Sequence, residues 1–495
     1  MSASDAEGRP AGHDDTTFLR KLLGGTAWQG AGLLFSNLAS FATKLILARI
    51  LAPEYFGLVG MAVVFTGLIQ TIEKLGIVAA LVQRKDEELS DVDLYTGHLG
   101  AILVGCIFYV AIIIPGAPAV AWFYEEPQLT AVIVVLAIPV IIDPFATYQK
   151  VKLNRELRFA LLAKIEVFAT FLGAGVAVVL ALCGAGVWAL VAQWVIFSIA
   201  TVTTLRLLIA SPQRTNFSFS SLRRTLGFGG YITGQRIFSF ISKQSDYLIV
   251  GKLVGAASLG AYTIAFLLTD AIRGKLMAAL TRVLFSAYSR IQTDLVALNR
   301  FYLGSIRFST LAVSPILCAL LFYPAEILRF GFGEEWLEAV VPLQLLAVAA
   351  WIHTIGGTNS TALKAVNRPD LAFKIRMFES LFVMIPALLV GVHYFGLAGA
   401  GAAVILGKLA SRLSYHWCMR RIIGTREPDI ARAIAPSLVA TTAMALVLLE
   451  LRSHWPVESL RQTVAFLIIA TSVYTLVALP LVFGELRRLW QATRT

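Results

Sequence analysis

Residues 235–255, QRIFSFISKQSDYLIVGKLVG, have the Ile, Phe, Leu and Val content of a membrane-crossing helix, yet they carry Arg236, Lys243, Asp246 and Lys252. A bare charge in hydrocarbon costs ~2.5–3.5 kcal/mol per residue on insertion scales, so each of these groups needs a partner or a task. With a helix start near residue 226 and ~1.5 Å of rise per residue, Arg236 falls roughly 15 Å in, near mid-depth. Lys243 lies beyond it, almost two turns on and pointing the same way. Asp246 stands three residues past Lys243, a spacing that places it to pair with it. Further along, Asp270 and Arg273 are again three apart and reach mid-depth, as do His353 and Lys408. Near the chain start, Asn37, Ser40 and Lys44 share one helix face.

Two chemistries fit this set. Arg236 and Lys408 have no oppositely charged neighbour in sequence, and a mid-depth cation without a local partner faces a hydrated cavity where it can bind an anion. Phosphate suits guanidinium and ammonium groups best, through charge-assisted hydrogen bonds. Asp246 and Asp270 are candidates for exchanging protons or binding a cation, which would couple transport to an ion gradient. Plainer explanations compete. Arg49, Lys252, Glu73, Lys74, Glu166 and Glu379 lie near span ends, where long stems reach the interface. The Lys243–Asp246 and Asp270–Arg273 pairs read equally well as structural ion pairs, and His353 as a hydrogen-bonding member of the bundle.

The elements that must hold these residues follow from composition. Of 495 residues 57% are hydrophobic and 15% charged, well below the quarter expected of a soluble chain. Apolar runs of ~20 residues recur, each long enough for ~30 Å of hydrocarbon. The chain reads as an all-α polytopic membrane protein with about fourteen spans: 27–51, 56–81, 93–114, 127–149, 160–182, 186–209, 226–250, 258–284, 303–323, 339–363, 374–394, 396–418, 432–450 and 463–484. The second, seventh and eighth contain charges and are the least apolar. Basic residues crowd the loops of one face, among them Arg84, Lys85, Lys150, Arg155, Arg223 and Arg420, which puts both termini in the cytoplasm. The net charge of +12 therefore reports topology, and no nucleic-acid partner is implied. Pro139, Pro144, Pro315, Pro342 and Pro386 interrupt spans and should bend them.

Enzymatic classes find little support. The opposite loops are short, the longest being 322–339, too small for a catalytic domain. No Walker A motif is present, the six histidines are scattered, and the four cysteines sit in apolar runs without metal-ligand spacing. No cofactor or metal is expected. Residues 1–20 are polar and read as a cytoplasmic tail, with the first span as an uncleaved insertion signal.

The chain also repeats itself. LARILAPEYFGL (47–58) aligns with VGKLVGAASLGA (250–261) at an offset of 203, setting Gly57 on Gly260. At an offset of 213, KLNRELRF (152–159) meets AVNRPDLA (365–372), and GAGVWALV (184–191) meets LAGAGAAV (397–404). A duplication of six spans leaves both copies in one orientation, related by a pseudo-two-fold axis along the membrane normal, with a site between them near mid-depth. Two C-terminal helices are additions. The expected organisation is a tail over 1–26, an N-lobe over 27–209, a linker over 210–225, a C-lobe over 226–419, and spans thirteen and fourteen with the C-terminus over 420–495.

LAPEYFGLVGMAVVFTGLI (51–69) with LGIVAALVQRK (75–85) resembles the first two helices of bacterial lipopolysaccharide and exopolysaccharide exporters. These form the polysaccharide transporter branch of the multidrug/oligosaccharidyl-lipid/polysaccharide flippase superfamily, with the colanic-acid exporter group nearest. LNRELRF (153–159), GAGVWALVAQ (184–193), SDYLIVGKLVGAASLGAYTIA (245–265) and RVLFSAYSRIQTD (282–294) follow in the family's order. Gln244 stands where relatives often have Asn, and Ser286 where they often have Pro.

The resemblance implies a two-lobed bundle that carries an undecaprenyl-diphosphate-linked oligosaccharide across the bacterial inner membrane by alternating access, for exopolysaccharide, capsule or O-antigen synthesis. It implies cationic cavity residues that meet the diphosphate or acidic sugars. Lys44, Arg236, Lys243 and Arg273 match those by location, and Lys408 joins them as a substrate-binding candidate. Membrane lipids, a polysaccharide polymerase and a co-polymerase are the candidate partners. The rival readings are a multidrug exporter of the same superfamily, whose cavity should be rich in carboxylates and aromatics, and a non-transporting scaffold of polysaccharide assembly.

Overall fold

The computed structural model describes residues 35–36, 38–73, 77–83, 90–211, 215–455 and 457–492. The expected tail, the first part of span one with Asn37, and Lys74, Arg84, Lys85 and Arg214 lie outside them. Among the described residues there is no strand, and ten helices are long and apolar enough to cross a membrane. The protein is a multi-pass, all-helical membrane protein. Those ten helices coincide with eleven of the fourteen expected spans, because the 55-residue run Pro369–Ile423 holds two. A straight helix of that length would reach about 80 Å, far beyond one bilayer. It turns at Gly396 (φ 56°, ψ −134°). The turn is a reversal, since a Cβ at Gly391 would lie 2.7 Å from the Gly399 carbonyl oxygen. Span seven is the helix Phe219–Val254 and span eight Ala256–Arg290; their charges set them apart from the ten. The second span ends earlier than expected, as Pro53–Glu73, with a separate short helix Ile77–Gln83.

Proline shapes several spans. Around Pro139 and Pro144 the fourth span divides into Gln128–Leu136, Pro139–Ile142, the 3₁₀ turn Asp143–Ala146 and Thr147–Arg155. Pro115 and Pro386 each follow a π-helical turn, Tyr109–Ile113 and Glu379–Met384. Proline has no N–H for the carbonyl four residues back. The ladder before it skips one residue: Ile114 N–H donates to Tyr109 O and Ile385 N–H to Ser380 O. Pro315, by contrast, lies inside the continuous helix Leu295–Phe322.

The duplication is visible in local geometry. Gly186 opens its helix at φ 56°, ψ −127°, nearly the values of Gly396. Leu157 and Asn367 both have positive φ, 55° and 58°. The turns they close use the same long bond, from Arg158 N–H to Leu153 O at 2.9 Å and from Arg368 N–H to Leu363 O at 2.8 Å. These matches are all 210 residues apart, which corrects the offset of 213: aligning Asn-Arg on Asn-Arg was three residues out of register. The offset of 203 holds. A Cβ on Gly57 would overlap the Ala256 carbonyl, and one on Gly260 would overlap the Pro53 carbonyl. Residues 53 and 57 thus meet their own repeat equivalents 256 and 260 crosswise.

The chain divides into two compact units. The first takes the described residues up to Leu51 and Ala62–Ile241. Its interior includes Ala146, Leu153, Ile165, Val202 and Leu205. Here the start of the charged helix Phe219–Val254 is fastened to the helix Asp91–Phe108. Ser221 Oγ donates to Asp93, Arg224 lies 3.9 Å from the same carboxylate, and Ser218 N–H donates to Thr96 at 3.1 Å. Asp93 also completes a capping box with Ser90, so the buried carboxylate is fully employed.

The second unit takes Ala52–Met61 and Ser242–Thr495. One core gathers Tyr288, Tyr302, Leu363, Met419 and Ile430. The last two membrane helices pack on Leu295–Phe322 through Cys318, Tyr323, Met444, Leu448 and Tyr474. Tyr323 Oη donates to Leu448 O, and Tyr474 Oη to Leu311 O.

Candidate functional site

In the second unit the structure gathers most of the charged residues singled out by sequence. Asp246, on the helix Phe219–Val254, is 2% exposed. It is not paired with Lys243, contrary to the expectation from their spacing. One carboxylate oxygen accepts from Tyr262 Oη at 2.9 Å and the other from the Tyr247 N–H at 2.9 Å. Lys243 is exposed, and among the described residues it has neither a hydrogen-bond nor an ion-pair partner. The physical reason is facing: Asp246 turns into the seam with Ala256–Arg290, whereas Lys243 turns out of it. Tyr247 packs edge-on against Tyr262 and Phe266, with ring centroids 5.9 and 6.1 Å apart, walling off the Asp246 side.

Asp270 and Arg273 do pair, within one turn of the same helix. The pair is partly open, with side chains 32% and 14% exposed. Arg273 keeps its Nε buried without an acceptor among the described residues, so part of its donor capacity is unspent.

Lys408 is not unpartnered, which corrects the sequence reading. Its Nζ lies 2.8 Å from Glu379 Oε1 across the hairpin closed by Gly396. Glu379 is itself buried at 8% exposure, so it is an interior ion-pair partner and no snorkelling end group. His353 is half-buried on the helix Val340–Gly356.

Two candidates belong to the first unit. Arg236 is exposed and has no hydrogen-bond or ion-pair partner among the described residues. Lys44 is half-buried and engaged with neighbours. Among the described residues no three His, Cys, Asp or Glu side chains converge as a metal site.

The sequence reading missed Tyr262 as the Asp246 partner and Glu379 as the Lys408 partner. The second was not legible from spacing either: a hairpin turning at residues 395–396 sets Lys408 level with residues near Val383, and Glu379 reaches it from about one turn farther along, across the π turn. Each carboxylate of the cluster is satisfied by a phenol or a cation, while Lys243 and the Arg273 Nε retain free donors.

Comparison with known proteins bears on the family and on the fold. The profile of the family described as "Polysaccharide biosynthesis protein" matches residues 46–341. The lipopolysaccharide biosynthesis protein WzxC of Escherichia coli is 25% identical over 448 residues, 86% of this chain and 88% of that one. The succinoglycan biosynthesis transport protein ExoT of Rhizobium meliloti is 27% identical over 466 residues, 92% of each chain. Among solved structures, the lipid II flippase MurJ in an inward closed conformation superposes with a TM-score of 0.74 at 14% identity, covering 92% of this chain and 99% of that one. An inward-facing multidrug resistance MATE family transporter superposes with a TM-score of 0.62 at 18% identity, covering 78% and 94%. Those two likenesses concern the fold.

Proposed function

The chain belongs to the polysaccharide biosynthesis protein family, and from that premise we propose that it is a flippase for a lipid-linked oligosaccharide. The cargo is a polyprenyl diphosphate carrying a sugar repeat unit, destined for exopolysaccharide, capsule or lipopolysaccharide. The chain moves it across the bacterial inner membrane by alternating access, with both termini in the cytoplasm. Residues 27–209 and 226–419 act as the repeated lobes and the last two helices as additions. The observation that carries this reading is the pair of cations Arg236 and Lys243, set in an apolar stretch and without partners among the described residues. Membrane insertion tolerates such groups only where they meet water or an anion. A diphosphate needs just that, because its own charge is expensive in hydrocarbon, while the polyprenyl tail can stay among lipid tails.

Binding of cationic drugs is disfavoured by the state of the carboxylates. Asp270 is held by Arg273, Glu379 by Lys408, and Asp246 by Tyr262 and a backbone N–H. The chemistry of the cluster is that of a transporter, with groups that hold and release charge and none arranged as a nucleophile with its base. Polymerase and co-polymerase partners would follow from the cargo's onward fate.

The test is export in cells. Arg236→Ala and Lys243→Ala should each lower surface polysaccharide about tenfold, in line with the loss of one charge-assisted contact, at unchanged protein level in the membrane. Normal polysaccharide in the double variant would remove these cations from the mechanism.

A further inference from the structure

Lys408 is held back by Glu379, and Glu379 opens the π-helical turn Glu379–Met384. A π turn contains one residue more than the α-helix around it, so its location decides which side chain faces a given neighbour. The residue after Glu379 is Ser380, 3% exposed, and its Oγ has no hydrogen-bond partner among the described residues. A buried orphan hydroxyl is uncommon and calls for a reason. Successive α-helical residues differ by about 100° in direction. If the extra residue moves upstream of Glu379, Ser380 comes to occupy the direction that Glu379 now holds, toward Lys408. Pro386 opposes the shift, because it offers no N–H to the Phe382 carbonyl and so keeps the extra residue just ahead of it. Facing the turn is Gly407, where a Cβ would sit 3.4 Å from Met384 Cβ and 3.8 Å from Glu379 Oε1. The opposing helix therefore presents bare backbone where the turn must re-register.

We propose that Ser380 is the second partner of Lys408, and that Glu379–Met384 is a one-residue register switch positioned by Pro386. In the register seen here Glu379 neutralises Lys408. In the alternate register a neutral hydroxyl accepts from the ammonium, and its charge is offered to an anionic cargo. Ser380 and Pro386 are thus positioning residues that act through Lys408. The inference rests on the diphosphate reading for its purpose, not for its geometry.

Farnesyl diphosphate, a short polyprenyl diphosphate without sugar, serves as the probe in binding measurements on the purified full chain. Pro386→Ala restores the N–H and should tighten binding about tenfold, the scale of one charge-assisted hydrogen bond. Adding Lys408→Gln should abolish that gain, adding Ser380→Ala should remove most of it, and adding Ser380→Thr, which keeps the hydroxyl, should retain it. A cryo-EM structure of Pro386→Ala should show Ser380 facing Lys408. If Glu379 still holds Lys408 in that structure and affinity equals wild type, the switch is refuted while the cargo reading stands. If the register has moved but no variant, wild type included, binds the probe, the switch stands and the cargo reading fails.

Discussion

Asp246, Lys408 and Arg273 show how single charges survive inside an apolar bundle. Each has a specific partner, and the first two make measurable claims. Tyr262→Phe deletes the Asp246 hydrogen bond at 2.9 Å and should cost about 1–3 kcal/mol of stability, since a buried acceptor is left short; denaturation of the purified protein in mild detergent reads it. Lys408→Leu should cost more, about 3–5 kcal/mol, because Glu379 would remain buried and unpaired. The double replacement Lys408→Leu with Glu379→Leu should recover most of that loss. If the double variant is as unstable as the single, Glu379 is not what makes the loss costly. What the sequence could show at this scale was limited to near neighbours. The Asp270–Arg273 pair lies within one turn and was legible. Asp246 chose Tyr262, on the next helix, over Lys243 on its own, and spacing along one helix cannot see that choice.

At the scale of elements, two matched sets of glycines organise the repeats. Gly186 and Gly396 turn the chain at nearly identical positive φ with ψ near −130°, a conformation open to glycine and disfavoured for residues with a Cβ. Gly57 and Gly260 let the starts of Pro53–Glu73 and Ala256–Arg290 touch backbone to backbone. Gly57→Ala and Gly260→Ala should therefore destabilise the protein by similar amounts, because each strikes the carbonyl of the other's helix. Gly175→Ala, with no atom near its Cβ, should be neutral or stabilising by up to ~1 kcal/mol through helix propensity. Thermal unfolding of the three variants checks the order, and unequal losses at positions 57 and 260 would contradict the crosswise contact. Spans were legible as apolar runs because the bilayer demands a fixed length. The Gly396 reversal was legible too, as the boundary between spans 374–394 and 396–418. The π turns were not. Proline predicts a bend, but which bond the ladder skips depends on the packing around it. The repeat register slipped by three residues because Asn-Arg recurs by composition, whereas the turn conformations mark true equivalence.

For the whole molecule, the many apolar helices and the family explain each other. A chain that is helical throughout its described membrane spans and carries cations in its charged helices suits moving a charged headgroup past hydrocarbon while its lipid tail stays outside. The helical, multi-pass character was readable from the sequence alone, including the charged helices Phe219–Val254 and Ala256–Arg290. The most direct test is transbilayer movement itself. Purified protein in proteoliposomes, loaded with a fluorescent undecaprenyl-diphosphate-linked oligosaccharide, is assayed for the fraction of label that becomes accessible to an external quencher. Wild-type protein should move the lipid, and Arg236→Ala with Lys243→Ala should slow the rate at least tenfold, in keeping with two lost charge-assisted contacts. Equal rates in wild type, double variant and protein-free liposomes would contradict the account.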